Sequence, residues 1–175
     1  DGLVIDVRDN GGGFTADHLL TVLTQPKHAF TIGRNGKSGY PQDRHVYASW
    51  TKPIVVLCNE NSFSNAEIFS HAIKTLKRGK LVGIQTAGGV ISTGSTNILG
   101  LGRMRLPFRG WFLSDNGEDM ELFGAMPNHV VDLSPDDLPS GNDPQLSRAI
   151  EVLKKEVTER GRALPKPVYR TERKK

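Results

Sequence analysis

No apolar stretch among the 175 residues approaches the roughly 20 that a membrane-spanning helix requires, so no membrane partner is expected. There is one cysteine, Cys58, and it lies inside an apolar run. It cannot form an internal disulfide and reads as a buried small hydrophobe. No Cys/His cluster with metal-ligand spacing is present, so neither a metal nor an organic cofactor is expected. The glycine run at residues 11–13 is not followed by Lys-Ser/Thr and lacks dinucleotide-fingerprint spacing, which excludes a phosphate-binding loop. No internal repeat appears. No initiator methionine or signal-like segment opens the chain, which reads as a piece of a longer polypeptide whose N-terminal portion lies elsewhere.

The hydrophobic fraction of 37% and charged fraction of 24% are ordinary for a globular protein. The length fits one domain with a sizeable core, assigned to residues 1–161. The formal charge of +4 is misleading as a sign of nucleic-acid binding. Residues 162–175 carry a net +5, which leaves −1 for the rest of the chain. The basicity therefore belongs to a C-terminal tail and not to a binding face, and no nucleic-acid partner is expected.

Residues 3–7 (LVIDV) predict a short strand that ends in the turn Asp9-Asn10-Gly11-Gly12-Gly13. A helix is expected over residues 15–23, with Thr15 as its cap, followed by a Gly/Pro-rich loop over residues 25–44. Residues 54–58 (IVVLC) predict a second, buried strand. A helix over residues 64–77 follows and is stopped at Gly79; residues 81–84 form a third strand. Short, mostly apolar strands alternating with helices are the mark of a mainly parallel sheet. Short Gly-punctuated strands, including residues 103–108, are expected between 88 and 123. The last helix, over residues 143–160, shows an apolar stripe of Leu146, Ala149, Ile150, Leu153 and Val157.

Ser64 falls at a strand-turn-helix junction. Such a turn lifts a hydroxyl above the sheet, beside the free N–H groups and positive dipole end of a helix. These N–H groups can stabilise a tetrahedral oxyanion, and the glycine turn after the neighbouring strand can bring a second donor. The same Ser64-x-x-Glu67 spacing is also that of a capping box, in which Ser64 would do no more than start its helix.

The segments DGLVIDVRDNGGG and KPIVVLCNENSFSNAEIF resemble the glycine loop and nucleophile segment of the C-terminal-processing (tail-specific) serine proteases. TAGGV at residues 86–90, ELFGAMP at 121–127 and SGNDPQ at 140–145 are similar to the tricorn-type branch of that family. The resemblance implies an α/β fold of the ClpP/crotonase kind: a mostly parallel sheet flanked by helices, with a smaller β-rich insertion. It implies Ser64 as nucleophile, the backbone N–H groups of Gly13 and Asn65 as the oxyanion hole, and Glu121 as a member of a catalytic tetrad. It further implies peptide or unfolded-protein substrates and assembly into homo-oligomers.

The processing proteases take their general base from a lysine in the turn after the third strand, where this sequence has Gly89. The tricorn-type enzymes use a Ser-His pair from an N-terminal region, so that part of the same protein is an expected partner, and the chain alone is expected to be inactive. His71 lies seven residues beyond Ser64, about 10 Å along the helix at ~1.5 Å per residue, which is too far for direct proton transfer. It reads as a helix-face residue; His18, His28, His45 and His129 lie in no matching motif. Asn65 stands where tricorn-type enzymes carry an aspartate for basic substrates, which implies a broader or more apolar preference. Gly89, Val90 and Ile91 open a stretch that can pair with an extended substrate by strand addition, or can be an ordinary core strand. The same scaffold also serves as a non-catalytic ligand-binding module elsewhere, and hosts acyl-CoA chemistry.

Overall fold

A computed structural model describes residues 1–26, 28–36, 38–39, 48–160 and 166–169. Along it run β1 (Leu3–Asp6), α1 (Ala16–Leu23), β2 (Thr31–Ile32), β3 (Ser38–Gly39), β4 (Ile54–Cys58) and α2 (Asn65–Thr75). There follow β5 (Lys80–Gly83), β6 (Ser92–Ile98), β7 (Gly102–Arg109), β8 (His129–Val130) and α3 (Pro144–Glu159). His45 and most of the expected basic tail lie outside the described residues. No described helix is long and apolar enough to cross a membrane.

β1, β4, β5 and β8 form one sheet in the order β1-β4-β5-β8, with every pair parallel. All five residues of β4 are buried, because helices cover both faces of the sheet. Strand side chains alternate between faces. Ile54, Val56 and Cys58 accordingly pack with Ala16, Leu23, Ala66, Phe69 and Ile73 of α1 and α2. Val55 and Leu57 pack on the other side with Val82 and with Ala149 and Val152 of α3. An uninterrupted apolar run is therefore what this position demands. Truncating a fully buried residue packed on this strand, Ile73→Ala on α2 for instance, should cost about 2–5 kcal/mol. Burial also pushes the Cys58 thiol up to about 12. The mainly parallel α/β sheet matches the expected fold class, and the antiparallel hairpin β6–β7 is its smaller β-rich insertion.

The structure corrects several expectations. Within the loop expected over residues 25–44, β2 and β3 pair antiparallel. β8 is a fourth strand of only two residues, docked on β5 through Val82↔His129. The buried face of α3 is Gln145, Ala149 and Val152; Leu146 and Ile150 are exposed and Leu153 is only half-buried. The helix is rotated because Gln145, though polar, is satisfied inside: its Nε2 donates to the Val131 carbonyl (2.8 Å) and its Oε1 accepts from Arg8 (3.1 Å). Arg8 also grips both oxygens of Asp143, which caps α3 through the Leu146 N–H. His71, read as a helix-face residue, faces inward: it is 8% exposed, and its buried Nε2 has no hydrogen-bond partner among the described residues.

Candidate active site

The loops that leave the C-terminal ends of β1, β4 and β5 meet above the sheet, the usual place for a ligand in a parallel α/β fold. The first two are laced together. Asn59 Oδ1 accepts from the Asp9 N–H (3.0 Å), and Asp9 Oδ1 accepts from the side-chain amides of Asn59 (3.0 Å) and Asn61 (2.9 Å). The Asn61 and Asn59 amides hold the Asp9 carboxyl below the usual carboxylate range. The fully buried Ser62 hydroxyl donates to the Val7 carbonyl (2.7 Å) and accepts from the Asn59 N–H (3.0 Å). The Phe63 N–H donates to the Asn10 carbonyl (3.0 Å). Each of these polar side chains serves one purpose: it fixes the glycine turn against the turn that carries Ser64.

Ser64 is half-buried and has φ 55°, ψ −119°. An ordinary capping serine keeps an extended backbone, whereas a left-handed φ costs a non-glycine residue about 1–3 kcal/mol and persists only where the surroundings impose it. The glutamate half of the capping box is nonetheless formed, with the Ser64 N–H donating to Glu67 Oε1 at 2.9 Å, while the Ser64 side chain makes no cap hydrogen bond and the Glu67 N–H donates to the Ser64 carbonyl (3.1 Å). Gly12 (φ +99°) lies directly against this turn: a Cβ there would stand 2.7 Å from Ser64 Cβ and 2.9 Å from the Asn65 nitrogen. The Gly12 N–H is taken by Asn10 Oδ1 (2.9 Å). The N–H groups of Gly13 and Asn65 make no hydrogen bond among the described residues, and the space beside Gly13 is open. Two unengaged donors, on Gly13 and on Asn65, therefore lie in the two turns that meet at Ser64.

Asn65 also has a structural duty. Its Oδ1 accepts from the Ala16 N–H (2.9 Å) and so caps α1, a task expected of Thr15, whose side chain makes no capping bond.

The third loop is held by two carboxylates. Glu67, fully buried, accepts from the Gly88 N–H (2.6 Å), the Gly89 N–H (2.8 Å) and the Thr86 hydroxyl (3.0 Å) besides Ser64. Glu121 Oε2 accepts from the next two amides, Val90 (2.8 Å) and Ile91 (2.9 Å). Glu121 thus reaches the far end of the turn whose near end is joined to the serine. Val90 is buried against Ile68 and Met120, so its side chain is core. Because both glutamates engage these N–H groups, an incoming strand would find only carbonyls free at Gly89, Val90 and Ile91. At Gly89 a Cβ would come within 2.3 Å of the Phe63 ring, so any larger residue there must first displace that partly exposed ring.

Of the predicted site residues, Ser64, Gly13, Asn65, Gly89 and Glu121 are gathered around these three loops. His18, on α1, and His129, on β8, belong to other parts of the chain. Sequence reasoning missed three contributors. Gly12 sits in the glycine run one residue from the position chosen. Phe63 carried no signal. Glu67 was visible only as the fourth letter of a capping box.

The chain matches the model of peptidase family S41 over residues 1–131. It is 34% identical over 167 residues to the tricorn protease of Thermoplasma acidophilum, covering 94% of this chain and 15% of that protein. It is 32% identical to the chloroplastic C-terminal processing peptidase of Tetradesmus obliquus, covering 79% of this chain and 30% of that protein. The crystal structure of the tricorn protease superposes with a TM-score of 0.76 at 32% identity, over 90% of this chain and 15% of that one. The chain therefore spans a small fraction of the proteins it resembles. With the family model covering most of its length, this chain belongs to peptidase family S41.

Proposed function

We propose that this chain is the nucleophile-bearing part of a serine endopeptidase acting on peptides or unfolded protein segments. The single observation that carries this reading is Ser64, held at a left-handed φ against Gly12 with the unengaged N–H groups of Gly13 and Asn65 beside it. Ser64 Oγ attacks the scissile carbonyl carbon and forms a C–O bond as its proton passes to a histidine. The negative oxygen that develops is held by the Gly13 and Asn65 N–H groups, each worth about 3–4 kcal/mol in such a role. Collapse of the intermediate breaks the C–N bond, and the leaving amine takes the proton back from the histidine. Water then hydrolyses the acyl-enzyme by the same relay.

The histidine and its partner serine come from a region N-terminal to this sequence, in the manner of tricorn-type enzymes. Glu121 completes the tetrad. Its Oε2 is engaged by two amides, while Oε1 makes no hydrogen bond among the described residues and remains available to orient that pair. The peptide lies along the Gly89, Val90 and Ile91 carbonyls and continues on the edge of β6, while Asn65 presents an uncharged amide to the residue before the scissile bond. Further copies of the protein are expected as partners.

Fluorophosphonate labelling tests the reading. The full-length protein should be labelled, Ser64→Ala should abolish the label, and this chain in isolation should stay unlabelled. Labelling that survives in Ser64→Ala would place the nucleophile elsewhere. Full-length protein that never labels would favour a non-catalytic binding module.

A further inference from the structure

The reading above gives Glu67 no part in the chemistry, yet no other described side chain joins the nucleophile's own amide to the turn opposite it. Its carboxylate is fully buried, and both oxygens are used twice. Oε1 accepts from the Ser64 N–H (2.9 Å) and the Gly89 N–H (2.8 Å); Oε2 accepts from the Gly88 N–H (2.6 Å) and the Thr86 hydroxyl (3.0 Å). The Thr86 hydroxyl in turn accepts from the Ala125 N–H (2.7 Å), fixing the loop that follows Glu121. The next two amides, Val90 and Ile91, belong to Glu121. Four consecutive amides, 88 to 91, are thus divided between two glutamates, and only Glu67 also reaches the serine.

A helix cap needs one of these bonds, the one to Ser64. The other three do nothing for the helix. They set the distance between two loops, and a serine held at φ 55° needs such an external tether to stay in place.

We propose that Glu67 is a positioning residue for catalysis. It holds the backbone of Ser64 at the angle that aims the hydroxyl beside the Gly13 and Asn65 amides, and it ties that angle to the segment oriented by Glu121. The proposal rests on Ser64 being the nucleophile. A carboxylate is required because four donors converge on it. In Glu67→Gln one acceptor oxygen becomes an NH2 group facing N–H donors, and in Glu67→Asp both oxygens draw back by one methylene.

The test uses the full-length protein and four forms: wild type, Glu67→Gln, Glu67→Asp and Thr86→Val. The Thr86 variant removes one donor to Glu67 without touching the Ser64 amide, and it serves as a control for general loosening. Rates of fluorophosphonate reaction, kcat and KM for a peptide, and melting temperatures are measured well below each melting point. The expected result is a fall of at least 100-fold in labelling rate and kcat for Glu67→Gln and at least 10-fold for Glu67→Asp, with KM within threefold of wild type. Thr86→Val should lose less than tenfold at a comparable drop in melting temperature. If Glu67→Gln does not fold, Glu67→Asp carries the test alone. Wild-type rates in the folded Glu67 variants, or losses matched by Thr86→Val at equal melting temperature, would overturn the proposal. Absence of labelling in wild type would instead remove the peptidase reading itself, and so the two failures are told apart.

Discussion

Gly12 and Ser64 are in contact, so close that a single methyl group on the glycine would lie 2.7 Å from the serine Cβ. The glycine also carries φ +99°, a conformation side chains rarely adopt. Gly12→Ala should therefore push the two loops apart. In the full-length protein we expect fluorophosphonate labelling of Ser64 to fall at least 100-fold while the far-ultraviolet circular dichroism spectrum is unchanged. Gly13→Ala, with open space beside it, should be milder in stability, since it suffers only from its own φ of +141°. Equal melting temperatures for the two variants would contradict the contact.

Phe63 and Gly89 form a second close pair. Gly89→Ala should destabilise the domain by about 1–3 kcal/mol through overpacking against the ring, and Phe63→Ala should relieve most of that loss. Denaturant titration of the two single variants and the double variant gives the coupling, expected at about 1–2 kcal/mol. Additive effects would mean that the ring does not sit over the glycine. For the same reason Gly89→Lys alone should not create a working Ser/Lys pair.

His71 predicts a pH dependence. Burial, the larger influence, holds its imidazole below the ordinary value of 6.5, although the charge of Glu67 opposes this and that of Lys74 adds to it. Below about pH 6.5 the unfolded chain takes up a proton that the folded chain resists, so stability falls as pH drops through that value. His71→Leu should flatten the slope of unfolding free energy between pH 7 and 5. An NMR titration should put the His71 midpoint below that of a histidine peptide; a midpoint at or above 6.5 would contradict the buried site. His129 is also lowered, by partial burial first and Arg148 second, and should add to the same slope.

Asn65 can be changed without dismantling the fold. Asn65→Asp keeps an oxygen for the Ala16 N–H and places a negative charge beside the serine. Profiling the full-length protein with a peptide library should show Lys and Arg enriched before the cleaved bond, relative to the parent, by about tenfold for ~1.4 kcal/mol of added attraction. No enrichment would mean that residue 65 does not face the substrate side chain.

The sequence made some of this plain and hid the rest for physical reasons. β4 was legible because a strand covered on both faces must be apolar throughout. The Ser64 junction was legible because strand, turn and helix each left a local mark. The face of α3 was misread since apolar spacing cannot foresee a buried Gln145, whose place depends on Arg8, 137 residues earlier in the chain. Glu67 was read only as a cap, because the three donors from residues 86–89 are invisible until the fold brings them together. His71 escaped notice as a buried group because a histidine on a helix gives no sign of which way it points, and a two-residue strand such as β8 leaves no periodicity to read.

Arg8 lies just before the glycine turn, yet its guanidinium is locked to Asp143 and Gln145 at the head of the final helix. The opening residues of this sequence thus depend on some of its last. During synthesis the turn flanking Ser64 would emerge long before its anchor, and it could settle only once α3 had left the ribosome. Until that helix has been made, Arg8 has neither Asp143 nor Gln145 to hold, and the turn beside Ser64 lacks this anchor.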